Sequence, residues 1–151
     1  VHTNIIARDA ARLIDFYKQT LGCKSMGQTR DLHGPWLDKL TGLPQAHITG
    51  EHLLLPGYDN DHPTLEIFSY DSLRDTLPPE VNRPGLAHLA FEVDDVEKTL
   101  AVIIAAGGGQ VGEVVCAAYP NSMEAVFVYA RDPEGNIIEL QSWRQAAATQ
   151  P

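Results

Sequence analysis

One strand-like segment occurs twice in this chain. Thr64-Leu-Glu-Ile-Phe-Ser-Tyr70 shares the pattern of Ile137-Ile-Glu-Leu-Gln-Ser-Trp143: apolar, Glu, apolar, any residue, Ser, aromatic. A second pair lies upstream of the first. Val1-His-Thr-Asn-Ile-Ile-Ala-Arg-Asp9 resembles Ala87-His-Leu-Ala-Phe-Glu-Val-Asp-Asp95, each a strand with His near its start and an Asp placed to cap a helix. The chain is therefore built from two similar halves, each opening on a strand His and closing on a strand Glu. Core packing would have preserved apolar residues only, so it does not account for a repeat that keeps His and Glu. The paired Glu residues lie closer together than the paired His residues, so the first half carries an insertion of about thirteen residues.

The last copy sits behind a turn signal. In Asp132-Pro133-Glu134-Gly135, Pro presets φ and Gly supplies the positive φ that closes the turn. Residues 136–143 then read as a strand. Period-2 alternation puts Ile137, Glu139, Gln141 and Trp143 on one face and Ile138 and Leu140 on the other. Glu139 is thus a carboxylate among apolar neighbours in mid-strand. Either that face is solvated, or the carboxylate is paired or bound to a metal.

The remaining elements follow from periodicity and punctuation. A first strand is expected over 1–7, then a helix over 10–21 capped by Asp9, with Leu13, Ile14, Phe16, Tyr17 and Leu21 as its apolar stripe and Gly22 as its stop. Strands are expected over 23–29, 45–55 and 62–70. Residues 31–42 fall where the repeat requires the insertion, and there Pro35 can start a short helix and Gly42 end one. Such a segment, carrying Trp36, serves either as a lid or pocket wall or as a plain cover for the sheet. In the second half, strands are expected over 85–93, 110–116, 124–130 and 136–143, with a helix from Asp95 to about residue 106. The result is one domain of class α+β, with βαβββ modules at 1–70 and 85–143, a proline-bearing linker at 71–84 and a frayed tail at 144–151.

Composition narrows the partners. A formal charge of −9 disfavours nucleic acid and anionic membrane and leaves a cation or a small molecule. No apolar run approaches the length of a membrane span. Cys23 and Cys116 make neither a disulfide framework nor a Cys-rich metal site; they suit a reducing cytoplasm and a role as small buried hydrophobes.

The order of elements, with His2, Glu66, His88 and Glu139 at the first and last strands of the modules, resembles the vicinal oxygen chelate superfamily, that of glyoxalase, bleomycin resistance proteins and extradiol dioxygenases. The likeness runs from Val1 to about Trp143 and is densest in the first strand and helix and in Asp132-Pro-Glu-Gly-Asn-Ile-Ile-Glu139. It implies that the modules' strands form a curled mixed sheet around a metal cleft. It also implies that His2, Glu66, His88 and Glu139 hold one divalent metal ion per site, with modules paired within one chain or across a homodimer. Two imidazoles and two carboxylates suit Zn, Ni, Co, Mn or Fe. The implied chemistry is that of a lyase or isomerase, moving a proton next to a carbonyl through an enediolate, with Glu139 and Glu66 as candidate proton carriers. The substrate would be a small molecule with adjacent oxygens or a thioester.

Departures from individual branches keep two alternatives open. Ile6 stands where lactoylglutathione lyase places a glutathione-binding Arg, and Glu66 stands where methylmalonyl-CoA epimerase has Gln. The signature of a non-haem Fe(II) extradiol dioxygenase is present in part, as Tyr129-Ala-Arg-Asp-Pro133 followed by Glu139, but Pro120, Asn121 and Ser122 occupy the window of its His. A metal-free antibiotic-binding protein is the other alternative. Trp36 and His33 on the insertion and Tyr129 near Glu139 are the candidate substrate contacts. His47, His52 and His62 read as surface or loop histidines.

Overall fold

A computed structural model describes residues 1–146; the part of the expected tail at 147–151 lies outside them. The chain divides after Thr76 into two units. The first contains β1 (His2–Ile6), α1 (Ala10–Leu21), β2 (Lys24–His33), α2 (Pro35–Thr41), β3 (His47–Leu54) and β4 (Thr64–Tyr70). The second contains β5 (Leu89–Glu92), α3 (Val96–Ala105), β6 (Gly109–Tyr119), β7 (Met123–Arg131) and β8 (Ile137–Gln145). Each unit forms one four-stranded mixed sheet, in the orders β1-β4-β3-β2 and β5-β8-β7-β6. The last strand of each unit lies inside its sheet, parallel to the first strand and antiparallel to the third. The protein is α+β, two βαβββ modules of which the first has an added helix.

Local chemistry explains the helices. Asp9 caps α1 by accepting from the Arg12 N–H at 3.0 Å, and Gly22 ends it in the left-handed region. The expected stripe of Leu13, Ile14, Phe16, Tyr17 and Leu21 is buried. Leu53, Leu65 and Ile67, on one face of the sheet, are fully buried with it. In the second unit Asp95 accepts from the Lys98 N–H at 2.9 Å to cap α3, whose Ile103 is buried along with Ile138 and Leu140 of β8. These fully buried aliphatic side chains are each worth roughly 1.5–3 kcal/mol relative to exposure. They fix which face of β4 and of β8 turns away from its helix.

The turn before β8 is built around one carboxylate. Asp132 is buried, and its Oδ1 accepts from the N–H groups of Glu134 and Asn136, both at 2.9 Å. Its Oδ2 accepts from the Asn136 side chain at 2.8 Å. Gly135 has φ +90°, as the turn signal requires. Arg131 donates to the carbonyls of Gly135 at 2.9 Å and Pro79 at 2.7 Å, tying the proline-bearing segment to the turn.

Several boundaries differ from those read in the sequence. β2 continues through His33, so the insertion begins as strand before turning into α2. Leu37 of α2 is buried against Ala46, Ile48 and Phe68, with Leu32 and Tyr70 partly buried around it. Trp36 is 54% exposed. The helix therefore covers its own sheet, and Leu37 rather than Trp36 is the side chain that seats it. β5 spans only Leu89–Glu92, against the expected 85–93, so His88 lies just before the strand. β8 runs to Gln145, because Met123 of β7 is there to pair with it. Cys23 is buried, and burial pushes its thiol up to about 12; Cys116 is exposed, so the second cysteine is not a core residue. Among the described residues no helix is long and apolar enough to cross a membrane.

The Asp132 turn yields a stability prediction. Asp132→Ala leaves three donors without their acceptor in a part-buried site, and unmet groups of this kind cost about 1–3 kcal/mol each where water cannot replace the partner. We expect a loss of about 2–3 kcal/mol in urea unfolding. A loss below about 0.5 kcal/mol would show that water satisfies the turn equally well.

Candidate functional site

In the first unit the site is set by strand alternation. Leu65 and Ile67 face α1, so Glu66 projects from the opposite face of β4, together with Phe68 and Tyr70. Its cross-strand neighbours are Asn4 on β1 and His52 on β3. The Glu66 side chain is only 13% exposed, and an ionised carboxylate so placed needs partners. It has three. Asn4 Nδ2 donates to Oε2 at 3.2 Å, His2 Nε2 lies 3.1 Å from the same oxygen, and His52 Nε2 pairs with Oε1. The His2 and His52 rings stand edge-on, with centroids 5.8 Å apart. Gly50 of β3 lies on this face, where a Cβ would fall 2.7 Å from the Phe68 ring and 2.0 Å from the Ile67 carbonyl oxygen, so the close approach of β3 to β4 requires glycine.

The second unit repeats the arrangement. Ile138 and Leu140 take the buried face, and Glu139 projects from the other, between Ala90 of β5 and Tyr129 of β7. His88 Nε2 is 3.6 Å from Glu139 Oε2, too long for a hydrogen bond. The Tyr129 phenol hydrogen-bonds Glu139, and its ring lies 5.2 Å from that of His88. Burial, then the negative charge of Glu139 and that hydrogen bond, raise the Tyr129 pKa above its usual value and keep the phenol a donor. A cavity of about 470 Å³ opens beside Glu139 and Tyr129, between β6, β7 and β8.

Of the residues singled out in the sequence, the structure brings His2 to Glu66 and His88 to Glu139, each pair within its own unit. Tyr129 joins the second pair. Trp36 stays on the exposed side of α2, and His33 pairs in register with His47, which alternation places on the face away from Glu66. His52 went unrecognised as anything but a surface histidine. Register shows it to be the counterpart of Tyr129: each is the cross-strand partner of its unit's Glu. The longer connection between β3 and β4, residues 55–63 against 132–136 between β7 and β8, hides this equivalence in the linear sequence.

His47 belongs to a different set of contacts. Its Nδ1 meets Asp71 Oδ2 and its Nε2 meets Asp31 Oδ1, each at 2.9 Å, so one imidazole ties β2 and β3 to the end of β4. His62 instead meets the Leu55 carbonyl at 2.8 Å within the β3–β4 connection.

Among the described residues no three His, Cys, Asp or Glu side chains are grouped so as to hold a metal ion. Each unit offers one imidazole and one carboxylate from the repeat, and the neighbours of Glu66 are engaged with its oxygens. As chemistry the donors suit a divalent cation of borderline hardness, since imidazole nitrogen and carboxylate oxygen are its usual ligands.

The fold has counterparts among known proteins. Residues 1–140 match the model of the glyoxalase/bleomycin resistance protein/dioxygenase superfamily, and the chain belongs to that family. No curated protein sequence matches it. Among solved structures it is similar to a glyoxalase family protein from Bacillus cereus, with TM-score 0.79 and 24% identity over 94% of this chain and 91% of the other. It is also similar to a glyoxalase I variant from Zea mays, with TM-score 0.62 and 22% identity over 93% of this chain and 43% of that one. A fosfomycin resistance protein from Listeria monocytogenes, solved with Mn(II) and sulfate, gives TM-score 0.55 and 15% identity over 94% of this chain and 89% of the other.

The His47 contacts predict a pH dependence. The hydrogen bonds that the ring donates to Asp71 and Asp31, with the charges of those carboxylates, raise its pKa above the ordinary 6.5. Stability from the imidazolium is therefore complete below 6.5 and is lost as pH rises through the higher folded value. The urea midpoint of the wild type should exceed that of His47→Gln at about pH 6, with the gap narrowing by about pH 9. A gap independent of pH would mean that the ring acts by packing alone.

Proposed function

We propose that the protein is a divalent-metal-dependent isomerase or lyase that moves a proton on the carbon next to a carbonyl. The observation that carries this reading is the repetition of one His–Glu pair in both units, the His at the start of or just before the first strand and the Glu on the last, in a chain of this superfamily. His2 and Glu66 from one unit and His88 and Glu139 from the other would hold one cation, Zn, Ni, Co, Mn or Fe, in a cleft enclosed by the sheets. The units would pair within one chain or across a homodimer. The Mn(II) complex of the fosfomycin resistance protein and the likeness to glyoxalase I support a metal-dependent role on this fold. When bound, the cation supplies Lewis acidity to the substrate oxygens, lowering the cost of negative charge as the neighbouring proton leaves.

The two carboxylates differ in what surrounds them. Glu66 has both oxygens engaged, by His52 on one side and by His2 and Asn4 on the other. It is a fixed anchor. Glu139 lines the cavity, with Tyr129 as its hydrogen-bond donor and His88 at a longer distance. Glu139 is thus placed to take a proton from a small molecule in that cavity, and Tyr129 holds the carboxylate in position. Tyr129 beside Glu139 also fits the second reading, a non-haem Fe(II) ring-cleaving oxygenase, which turnover-coupled uptake of O₂ would establish.

Metal titration by calorimetry of chelator-treated protein should show about one divalent ion per site. His88→Ala should bind it far more weakly while keeping its circular dichroism, and full occupancy in that variant removes His88 from the site. Glu139→Gln should slow exchange of the α-protons of hydroxyacetone in D₂O by about 10²–10⁴-fold, the usual effect of losing a general base. Exchange at the wild-type rate would refute the assignment of Glu139.

A further inference from the structure

The cavity beside Glu139 is walled at its far end by three aromatic rings. Tyr119 of β6, Phe127 of β7 and Trp143 of β8 meet with centroids 4.9 Å apart for Tyr119–Trp143, 5.6 Å for Phe127–Trp143 and 6.2 Å for Tyr119–Phe127. Register explains the cluster. Across the sheet from Trp143 stand two alanines, Ala125 and then Ala117, which leave room for Phe127 and Tyr119 to lean in from either side. The Trp143 Nε1–H donates to Gln141 Oε1 at 3.1 Å, so the polar edge of the indole is occupied and its orientation held. Yet Tyr119 remains 43% exposed and Trp143 38% exposed. Exposed aromatics grouped in this way are costly in water, and they mark a surface that something apolar covers.

Comparison of the two units shows why this face is open. By the repeat, Trp143 corresponds to Tyr70, and Ala125, its cross-strand partner, to Ile48. In the first unit that place is covered by α2, with Leu37 buried on Ile48 and Phe68 and Tyr70 partly buried beside it. In the second unit residues 120–122 join β6 to β7 in a tight turn with Asn121 and Ser122 at positive φ, and among the described residues no helix stands in this connection to cover the aromatic face. The same sheet position is a core in one unit and a cavity wall in the other.

We propose that the substrate carries a planar aromatic ring, uncharged or cationic, which lies against Tyr119, Phe127 and Trp143 while its adjacent oxygens reach toward Glu139. The volume of about 470 Å³ is that of a small-molecule site. Charge selects among ligands that fit. The described residues lining the cavity include Glu113 and Glu139 and no Lys, Arg or His, in a chain of net charge −9. A ligand bringing phosphates or carboxylates against the ring wall meets like charge from these two side chains, whereas a neutral ring gains apolar burial and edge-to-face contacts and a cationic one gains attraction to the ring faces.

This inference rests on the reading that Glu139 faces the reacting carbon, and the experiment separates the two. Chelator-treated, metal-free protein is titrated with 2-hydroxyacetophenone, with hydroxyacetone, and with the 4-carboxylate of 2-hydroxyacetophenone. The phenyl ketone should bind at least about tenfold more tightly than hydroxyacetone, the effect of one well-packed aromatic contact, and the carboxylate should forfeit that gain. Trp143→Ala and Tyr119→Ser, on different strands, should each weaken the phenyl ketone about tenfold and leave hydroxyacetone unchanged. Equal binding of the two ketones, or indifference to both substitutions, overturns the proposal. So does conversion of a dimer to monomers by either substitution, because the rings would then be an interface between copies. Exchange of hydroxyacetone α-protons by Mn(II)-loaded protein is the separate readout. If it persists without aromatic preference, only this inference falls; if aromatic preference holds without exchange, the ring site stands and the proton-transfer reading falls.

Discussion

An ionised carboxylate in the middle of an inner strand is the constraint around which each unit is arranged. Glu66 and Glu139 lie between strands on both sides, with fully buried aliphatic residues next to them in sequence. Removing such a group from water costs several kcal/mol unless charge or hydrogen bonds replace the solvent. In the first unit the replacement is dense, with His2, His52 and Asn4 on the two oxygens. In the second it is sparser, with the Tyr129 phenol and a more distant His88. In both units a His at or just before the first strand and a side chain of the third strand stand beside the last-strand Glu.

That arrangement also explains which parts of the architecture were legible in the amino-acid sequence. The repeat was visible because the strand Glu, its flanking pattern and an upstream His recur in both halves. The α1 stripe was visible because Asp9 and Gly22 mark both its ends, and the 132–136 turn because Pro133 and Gly135 leave few alternatives. His52 was not visible. Its role depends on register across β3 and β4, which is set by hydrogen-bonding partners far apart in sequence, and the longer β3–β4 connection displaces it from the position Tyr129 holds relative to Glu139. The insertion was expected over 31–42 and lies instead at 34–46, after β2, and its hydrophobic residues did not say which of them faces inward. Packing against Ile48 and Phe68 chose Leu37 and left Trp36 outside.

The same limit applies to the histidines as a group. Six of them are present, and composition gives no reason to rank them. Structure sorts them by the groups they meet. His2, His52 and His88 meet the strand carboxylates, His47 bridges two aspartates at the end of a sheet with the His33 ring edge-on to it, and His62 meets a backbone carbonyl. Only the first group lies on the sheet faces turned away from α1 and α3. The His47 bridge is as well formed as any of them, yet it joins strand ends on the exposed rim, where its contribution is to stability.

Divergence between the halves is as informative as their likeness. Two copies of one module begin with equivalent sheet faces, and each must either cover its apolar residues or leave them available. The first unit takes the former course. Thirteen residues between β2 and β3, numbers 34–46, supply a helix whose Leu37 completes a small core, and the carboxylate beside it is held by three side chains. In the second unit the corresponding connection is residues 120–122, too short for any cover, and the rings of Tyr119, Phe127 and Trp143 remain at the surface with the less constrained carboxylate nearby. Coverage and carboxylate engagement change together. A sealed face with a saturated Glu suits a part whose geometry has to stay fixed, and an open apolar face with a lightly held Glu suits the part that meets a ligand. Such a division requires no new fold, only a helix inserted in one copy and left out of the other.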